Sequence, residues 1–233
     1  MPEHLLRVCA VRRATPSTRV LRLEVARTFP YLAGQVAEIG PAEAAQASPY
    51  SIASAPEDTS AHGYMEFLIR VDAQERWGEH FEPLQRGQRI RVNGPLGRFT
   101  FPDRPAERAF LFIAGGTGIA PLRGMLRHAR AVRQPGSYRL LYSARTPDDF
   151  PYLPELRGMV RRGELRLMVT ATRAGDDRWK GGRGRIAVAQ IAALLDNPAT
   201  LCFVCGPAAM VDEVPAMLRE LGIEPGRIRL EEW

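Results

Sequence analysis

The sequence has no apolar run near the roughly 20 residues that a membrane-spanning helix needs, and its start, MPEHLLR, has no apolar signal-peptide core. Only three cysteines occur, Cys9, Cys202 and Cys205. They are too few for a disulfide scaffold and suit a reducing compartment. These absences predict a cytoplasmic protein without a membrane span, held together by its hydrophobic cores.

Metal and nucleic-acid chemistry are also poorly represented. The four histidines are scattered, and Cys202 and Cys205 lack the further ligands that a metal needs, so we predict no metal site. We also predict no redox disulfide, because Cys202 lies in the middle of a predicted strand, whereas such a disulfide needs both sulfurs at a strand-to-helix junction. The net charge of +6 raises the question of nucleic acid. However, the basic residues are not interleaved with aromatics that could stack on bases. We expect no nucleic-acid partner, since cofactor phosphates or an acidic protein account for the charge more simply.

The first part of the chain is patterned as strands. Apolar and polar residues alternate within 20–25, 64–71 and 89–93, which is the period of strands with one buried face. Glycines and prolines punctuate these segments. The pattern predicts a closed antiparallel β-barrel, with one small helix around 75–84.

The second part changes character at residue 110. The solid apolar run 110–114 leads through a glycine turn into a predicted helix at 121–132. Further apolar runs alternate with helix-like segments; the strands are predicted at 138–142, 165–169 and 201–204 and the helices at 188–195 and 208–221. This alternation is typical of a Rossmann-like parallel sheet covered by helices on both faces. A polar linker at 102–105 predicts two domains, 1–103 and 104–233.

The glycine turn itself, AGGTGIAPL at 114–122, predicts nucleotide binding. It lies where an open sheet binds ligands, between the carboxyl end of a strand and a helix. Glycines let the backbone approach a pyrophosphate, and the helix N-terminus presents N–H groups to the anion. Pro121 suits an early helical position because its missing N–H has no partner to lose. The alternative is a tight turn that binds nothing.

Five ordered segments resemble the ferredoxin–NADP reductase superfamily and together cover nearly the whole chain. They are GGTGIAPL at 115–122, PYSIAS at 49–54, GPLGRF at 94–99, CGP at 205–207 with Met210, and EEW at 231–233. The resemblance implies a flavin-dependent NAD(P)H oxidoreductase. Its barrel would bind FAD, or FMN, and its α/β domain would bind the nicotinamide nucleotide.

The resemblance places the flavin on Pro49, Tyr50 and Ser51, with Tyr50 against the isoalloxazine ring and Ser51 near its reactive N5. A flat apolar ring needs an aromatic wall, and a reacting nitrogen benefits from a nearby hydroxyl. The alternative is that Tyr50 belongs to the barrel core and Ser51 is an ordinary strand hydroxyl.

Two departures from the family pattern concern the flavin phosphates. Ser48 stands where the family has an arginine. Gly78 is kept, but Phe81 stands three residues later, where the family has a hydroxyl residue. Either FAD is held by substitute contacts such as Arg70 or Arg76, or the flavin is loosely bound and exchanges as a substrate. We expect bound FAD.

The resemblance also assigns the nucleotide site. The pyrophosphate would lie on the turn, and the nicotinamide on the later loop; these residues are Gly115, Gly116, Thr117, Gly118, Pro121, Gly206, Pro207 and Met210. Cys205 would face the nicotinamide, Glu231 would assist proton transfer, and Trp233 would stack on the flavin as a gate. The alternatives are a buried structural thiol at Cys205 and a frayed terminus at Trp233.

The choice between NADPH and NADH depends on the adenosine ribose. Thr172 and Arg173 resemble the pair that clasps the 2′-phosphate in NADP-specific relatives, with Ser143 and Arg145 as further candidates. A guanidinium suits that dianion, so NADPH is favoured over NADH. The alternative is a solvated basic loop, to which Arg178 and Lys180 would also belong.

The implied activity is hydride transfer between NAD(P)H and bound FAD, beside Ser51. The sequence carries no four-cysteine iron–sulfur signature, so we expect electrons to pass to a separate acidic carrier, such as a ferredoxin, a flavodoxin or an oxygenase component. Three alternatives remain: a reductase of free flavin, a non-catalytic flavin-binding electron-transfer subunit, and a structural or RNA-associated module that binds no flavin.

Overall fold

A computed structural model describes residues 3–78, 81–175 and 178–232. The chain forms two compact units. The first comprises residues up to Phe101 together with Arg123–Arg133, and the second comprises Pro102–Leu122 together with residues from Gln134 onward. The single boundary at 103/104 stays a prediction, because a segment from the later part of the sequence groups with the first unit.

The first unit is built on six antiparallel strands. These are β1 (Glu3–Thr15), β2 (Thr18–Glu24), β3 (Val36–Pro41), β4 (Ser48–Ser51), β5 (Tyr64–Arg70) and β6 (Arg89–Leu96). Their order is β4-β3-β6-β1-β2-β5. The two edge strands meet where Ile52, directly after β4, bridges Phe67 of β5, and where the Ala53 N–H donates to the Glu66 carbonyl at 2.7 Å. This closure confirms the predicted antiparallel barrel.

Strand β5 shows where the predicted alternation holds and where it fails. Met65, Phe67 and Ile69 point into the barrel core and are fully buried, as their spacing predicts. Glu66 and Leu68, on the opposite parity, are buried as well, at 2% and 3% exposed. Both faces of this strand are therefore covered, and alternation predicts fewer buried residues than the strand has.

A short helix, α1 (Pro56–His62), lies between β4 and β5 and was not predicted. Its boundary signals are present in the sequence. Pro56 occupies the first turn, the Asp58 carboxylate accepts the Ala55 N–H at 2.9 Å, and Gly63 ends the helix at φ 72°.

The predicted helix at 75–84 is wrong for the residues that the structure describes there. Trp77 instead forms isolated bridges with Val71 and Phe81. Glu75 and Gly78 have φ values of 63° and 54°, and left-handed residues interrupt a right-handed helix. The described residues of this segment therefore form turns and bridges rather than a helix.

The Arg123–Arg133 segment is tied to the first unit by buried ion pairs. Arg123 contacts Glu66 at 2.9 Å and donates to the Ala53 carbonyl at 2.7 Å. Arg22 contacts the same carboxylate at 2.7 Å. Glu66 is therefore shared by two guanidinium groups.

A second pair joins the same segment to α1. Arg127 binds the Asp58 carboxylate through two nitrogens, each at 2.5 Å. Burial works to raise the pKa of Asp58, but hydrogen bonds from Arg127 and the Ala55 N–H outweigh it and hold that pKa below its ordinary value. This carboxylate thus adds stability above its unfolded-state pKa, which is lost as the pH falls through the lowered native pKa.

The second unit contains a parallel sheet. Its strands are β7 (Ala109–Gly115), β8 (Ser137–Ala144), β9 (Arg166–Ala171), β10 (Gly182–Arg183), β11 (Leu201–Gly206) and β12 (Ile228–Glu232). The helices that follow in the sequence are α2 (Ile119–Ala131), α3 (Leu153–Arg161), α4 (Val188–Ala192) and α5 (Ala208–Glu220). Helix α2 belongs to this unit only up to Leu122. The predicted Rossmann-like α/β arrangement is confirmed, although α4 is shorter than the predicted 188–195.

The strand order β10-β9-β8-β7-β11-β12 places a switch point between β7 and β11. From β7 the chain moves outward through β8 and β9, and it later returns to the other side of β7 with β11. In open α/β sheets, ligands bind at the carboxyl ends of the strands at this point. No helix within the described ranges is long and apolar enough to cross a bilayer.

Candidate functional site

Two glycines lie at the carboxyl ends of β7 and β11, where the switch point predicts a ligand. A Cβ on Gly206 would lie 3.3 Å from the Gly115 Cα. A Cβ on Gly115 would lie 2.9 Å from both the Met210 Sδ and the Pro207 Cδ. The structure thus brings four of the predicted nucleotide residues together, and their close approach leaves little space for a side chain at either glycine.

Between β7 and α2, the residues Gly116–Gly118 form one 3₁₀ turn. Gly116 has φ 54°, and its carbonyl accepts the Ile119 N–H that closes the turn. A Cβ on Gly118 would collide with the Cys205 carbonyl group. The first N–H groups of a helical turn have no intrahelical acceptor, so the turn can offer backbone amides to an anion. Pro121 follows as the third residue of α2 and is buried.

The sequence did not single out Tyr142, although it belongs to this turn. Its hydroxyl donates to the Gly116 carbonyl at 3.0 Å, and its ring is fully buried with its edge against Phe150, at a centroid distance of 5.0 Å. Burial, with Tyr152 and Asp149 nearby, raises the pKa of Tyr142 well above its usual value. The only sequence signal is a polar-tipped residue in the apolar run 138–142.

Cys205 and Glu231 lie side by side on β11 and β12, where they are partners in the parallel register. The Cys205 Sγ is 4.0 Å from the Glu231 Oε2. Burial, and then the charge of Glu231, raise the pKa of the fully buried Cys205 thiol well above its ordinary value. Cys205 is therefore a neutral thiol at physiological pH. Trp233, the predicted gate, lies outside the described residues.

The predicted 2′-phosphate residues lie on two adjacent loops. The Thr172 N–H donates to the Ala144 carbonyl at 3.0 Å, and the Arg173 N–H donates to the Arg145 carbonyl at 2.7 Å. These bonds extend the pairing of β8, where Ser143 lies, with β9. Arg145 and Arg173 are both exposed, so two guanidinium groups are presented near one strand end.

In the first unit, the predicted flavin residues Ser48, Pro49, Tyr50 and Ser51 form the short strand β4. Tyr50 is half-buried, and its ring centroid lies 6.2 Å from that of Trp77. Its phenol oxygen accepts the Gly78 N–H at 3.1 Å. Burial, opposed by that hydrogen bond, raises the pKa of Tyr50 to about 12. Tyr50 is thus a neutral aromatic at the surface of the barrel core.

The two departures from the family pattern meet at one place. A Cβ on Gly78 would lie 2.7 Å from the Phe81 ring and 3.2 Å from the Ser48 Oγ. Gly78 and Ser48 are therefore neighbours, with no space for a side chain at residue 78.

The two candidate substitute cations differ in availability. Arg76 donates to the Asp72 carboxylate at 2.9 Å. Arg70 is exposed at the end of β5, and its guanidinium has no hydrogen bond or ion pair with the described residues. The groups that fit a flavin nucleotide here are the Tyr50 phenol, the Ser48 hydroxyl beside Gly78 and the Arg70 guanidinium.

No group of three or more metal-ligating side chains occurs in the part of the chain that the structure describes.

Comparison with known proteins identifies the families of the two parts of the chain. The family described as Oxidoreductase FAD-binding domain matches residues 6–101, and the family described as Oxidoreductase NAD-binding domain matches residues 112–215. Ferredoxin–NADP reductase B of Sorangium cellulosum (strain So ce56) is 33% identical over 244 residues, which cover 97% of this chain and 96% of that protein.

Two further similarities bear on partner and fold. A Ralstonia sp. protein, the ferredoxin–NAD(P)(+) reductase component of naphthalene 1,2-dioxygenase/salicylate 5-hydroxylase systems, is 29% identical over 226 residues, covering 96% of this chain and 67% of its own. The crystal structure of a ferredoxin NADP+ reductase from Neisseria gonorrhoeae with bound FAD and NADP superimposes with a TM-score of 0.83. It is 19% identical, covers 100% of this chain and 99% of its own, and shows the shared fold.

Proposed function

The chain belongs to the ferredoxin–NADP reductase superfamily, an NAD(P)H-dependent flavin oxidoreductase family, and on that premise we propose that it passes electrons from NADPH, through FAD, to a separate acidic carrier protein. The observation that carries the proposal is the glycine turn at the switch point, with the Cys205–Glu231 pair on the strands beside it. A cytoplasmic location stays a prediction.

The first unit supplies the residues that would hold FAD, which when bound exchanges electrons between a two-electron donor and a one-electron acceptor. Tyr50 provides a neutral aromatic wall, and Ser51 provides a hydroxyl at the end of β4. Arg70 provides a cation for a phosphate, in place of the arginine that Ser48 replaces. A charge-assisted hydrogen bond of this kind contributes about 1.5–3 kcal/mol.

The second unit supplies the residues that would hold the nucleotide. The amides of the 3₁₀ turn bind and orient the pyrophosphate, since glycines let the backbone approach it closely. Because Cys205 remains protonated, it presents a thiol rather than a second negative charge beside Glu231. Trp233 as a gate, and Gly206, Pro207 and Met210 as nicotinamide contacts, stay predictions.

NADPH is proposed over NADH because Arg145 and Arg173 are exposed at neighbouring strand ends. We expect kcat/KM to favour NADPH by about 10- to 100-fold, the size of one charge-assisted contact with the 2′-phosphate. Steady-state kinetics with both nucleotides measure this ratio. Arg173→Ala should lower kcat/KM for NADPH and leave that for NADH unchanged. Equal use of the two nucleotides by the wild type would overturn the preference.

The acceptor is proposed to be acidic because the chain has a net charge of +6, and opposite charges steer association. The Sorangium and Ralstonia relatives are named as reductases of ferredoxin. A second candidate function is that of a reductase that releases its flavin. Ser48 favours this candidate, because serine lacks the charge of the family's arginine at that position.

One anaerobic experiment tests the function. Protein purified with FAD should be yellow, and NADPH should bleach its visible absorption. Adding an oxidised ferredoxin should restore the colour, and this reoxidation should slow as salt is raised. A colourless protein that reduces only added free flavin would replace the proposal with the flavin-reductase alternative. A yellow protein that neither nucleotide bleaches would indicate a non-catalytic flavin-binding subunit.

A further inference from the structure

A side-chain hydroxyl of strand β8, that of Tyr142, contacts the glycine turn. Tyr142 is the in-register partner of Ala114 on β7, two residues before the 3₁₀ turn begins, and its hydroxyl reaches the Gly116 carbonyl. We propose that Tyr142 is a positioning residue, whose hydroxyl fixes the Gly116–Thr117 peptide so that the Thr117 N–H faces the nucleotide pyrophosphate. This inference rests on the proposed function, because it assumes that the turn binds NAD(P)H.

The geometry of a peptide bond carries the argument. In a trans peptide, the carbonyl oxygen and the following N–H point in opposite directions. The Gly116 carbonyl accepts two donors, the Tyr142 hydroxyl and the Ile119 N–H. Because the Tyr142 hydroxyl holds this oxygen on its own side of the peptide, the Thr117 N–H points away from Tyr142. One hydrogen bond to a carbonyl therefore orients an amide on the opposite edge of the same peptide.

The turn needs such a tether because it is rich in glycine. Gly116 has a left-handed φ of 54°, and glycine reaches many backbone conformations at little cost. Without the hydroxyl, the Ile119 N–H would be the one of these two donors that remains on the Gly116 carbonyl, so the peptide would be held less firmly and binding a pyrophosphate would require ordering it further.

Tyr142 is itself held rigidly. It is fully buried, and Phe150 packs edge-on against its ring at an interplanar angle of 88°. Phe150 in turn stacks on Trp179, at a centroid distance of 5.4 Å. A fixed side chain can impose its orientation on a flexible turn, whereas an exposed one could not.

The test uses Tyr142→Phe, which removes the hydroxyl and keeps the ring. Tyr138→Phe is a matched control on the same strand, because the Tyr138 hydroxyl donates to the Gln134 carbonyl at 2.7 Å, and its ring stacks on Phe110. Binding of NADP+ and of 2′-AMP to the FAD-loaded proteins is measured by calorimetry. The 2′-AMP probe carries the adenosine and 2′-phosphate but no pyrophosphate.

We expect Tyr142→Phe to weaken NADP+ binding about three- to tenfold, the size of one hydrogen bond, and to leave 2′-AMP binding unchanged. The KM for NADPH should rise by a similar factor with little change in kcat. Tyr138→Phe should match the wild type for both ligands.

Two results would overturn the inference while leaving the proposed function intact. One is unchanged NADP+ affinity in Tyr142→Phe, and the other is an equal loss for NADP+ and 2′-AMP, which would indicate a general structural role. If the wild type itself binds neither ligand, the proposed function fails, and the inference with it.

Discussion

Gly118→Ala is expected to lower kcat/KM for NAD(P)H by about 100-fold, the effect of displacing a bound substrate by roughly 1 Å. A Cβ on Gly118 would lie 2.6 Å from the Cys205 carbonyl carbon and 2.9 Å from the Gly206 nitrogen. Both neighbours are backbone atoms, so no side-chain rotation can relieve the contact. The turn after β7 and the end of β11 must therefore separate, and the predicted pyrophosphate and nicotinamide contacts separate with them.

Stopped-flow reduction of the FAD-loaded protein under anaerobic conditions measures this effect. Gly226→Ala is the control, because a Cβ at Gly226 would meet no atom within 4 Å, and it should reduce at the wild-type rate. The visible spectrum of Gly118→Ala before NADPH is added should equal that of the wild type, which shows that the first unit still holds its flavin. A Gly118→Ala protein within tenfold of the wild type would contradict the prediction.

Glu66→Ala should destabilise the protein by roughly 3–5 kcal/mol, because removing one partner of a buried ion pair leaves the other uncompensated. Here two cations lose their shared partner, Arg123 at 8% exposure and Arg22 at 24%. At about 2–4 °C per kcal/mol for a chain of this size, the apparent melting temperature should fall by on the order of 6–20 °C. Thermal unfolding followed by circular dichroism measures the shift.

Glu24→Ala is the matched control. Its partner Arg7 lies 2.7 Å away, but both side chains are more than half exposed, and surface pairs of this kind contribute about 0–1 kcal/mol. We expect the melting temperature of this variant to stay within a few degrees of the wild type. Equal decreases in the melting temperature of Glu66→Ala and Glu24→Ala would show that the contribution of Glu66 to stability does not depend on its burial.

The second unit was the easier of the two to predict from sequence. All seven residues of β7 are buried, so the strand appears as an unbroken apolar run, and a glycine cluster marks its end. The first unit carries weaker signals. The helix α1 has only seven residues. Glu75 and Gly78 adopt a left-handed backbone where a helix was predicted, and the sequence pattern does not specify that conformation.

The candidate site also contains residues that local sequence patterns indicate and residues that they do not. Residues that act within one motif, such as Tyr50 with Ser51 or Gly115 with Gly118, are visible as local patterns. The Tyr142 hydroxyl and its carbonyl partner lie 26 positions apart, and their contact depends on how β7 and β8 pair. Glu66 stands where strand alternation predicts an exposed side chain. Its burial follows from the placement of Arg123, so no pattern within β5 could indicate it.

The protonated state of Cys205 also bears on oxidative damage. Peroxides and disulfides react with thiolates far faster than with thiols, and the thiolate form is disfavoured here by burial and by Glu231. Burial alone raises the pKa of Cys202 to about 12, so the thiolate form is disfavoured there as well. Burial within the sheet therefore makes both thiols of β11 poorer targets for peroxides than an exposed thiolate would be.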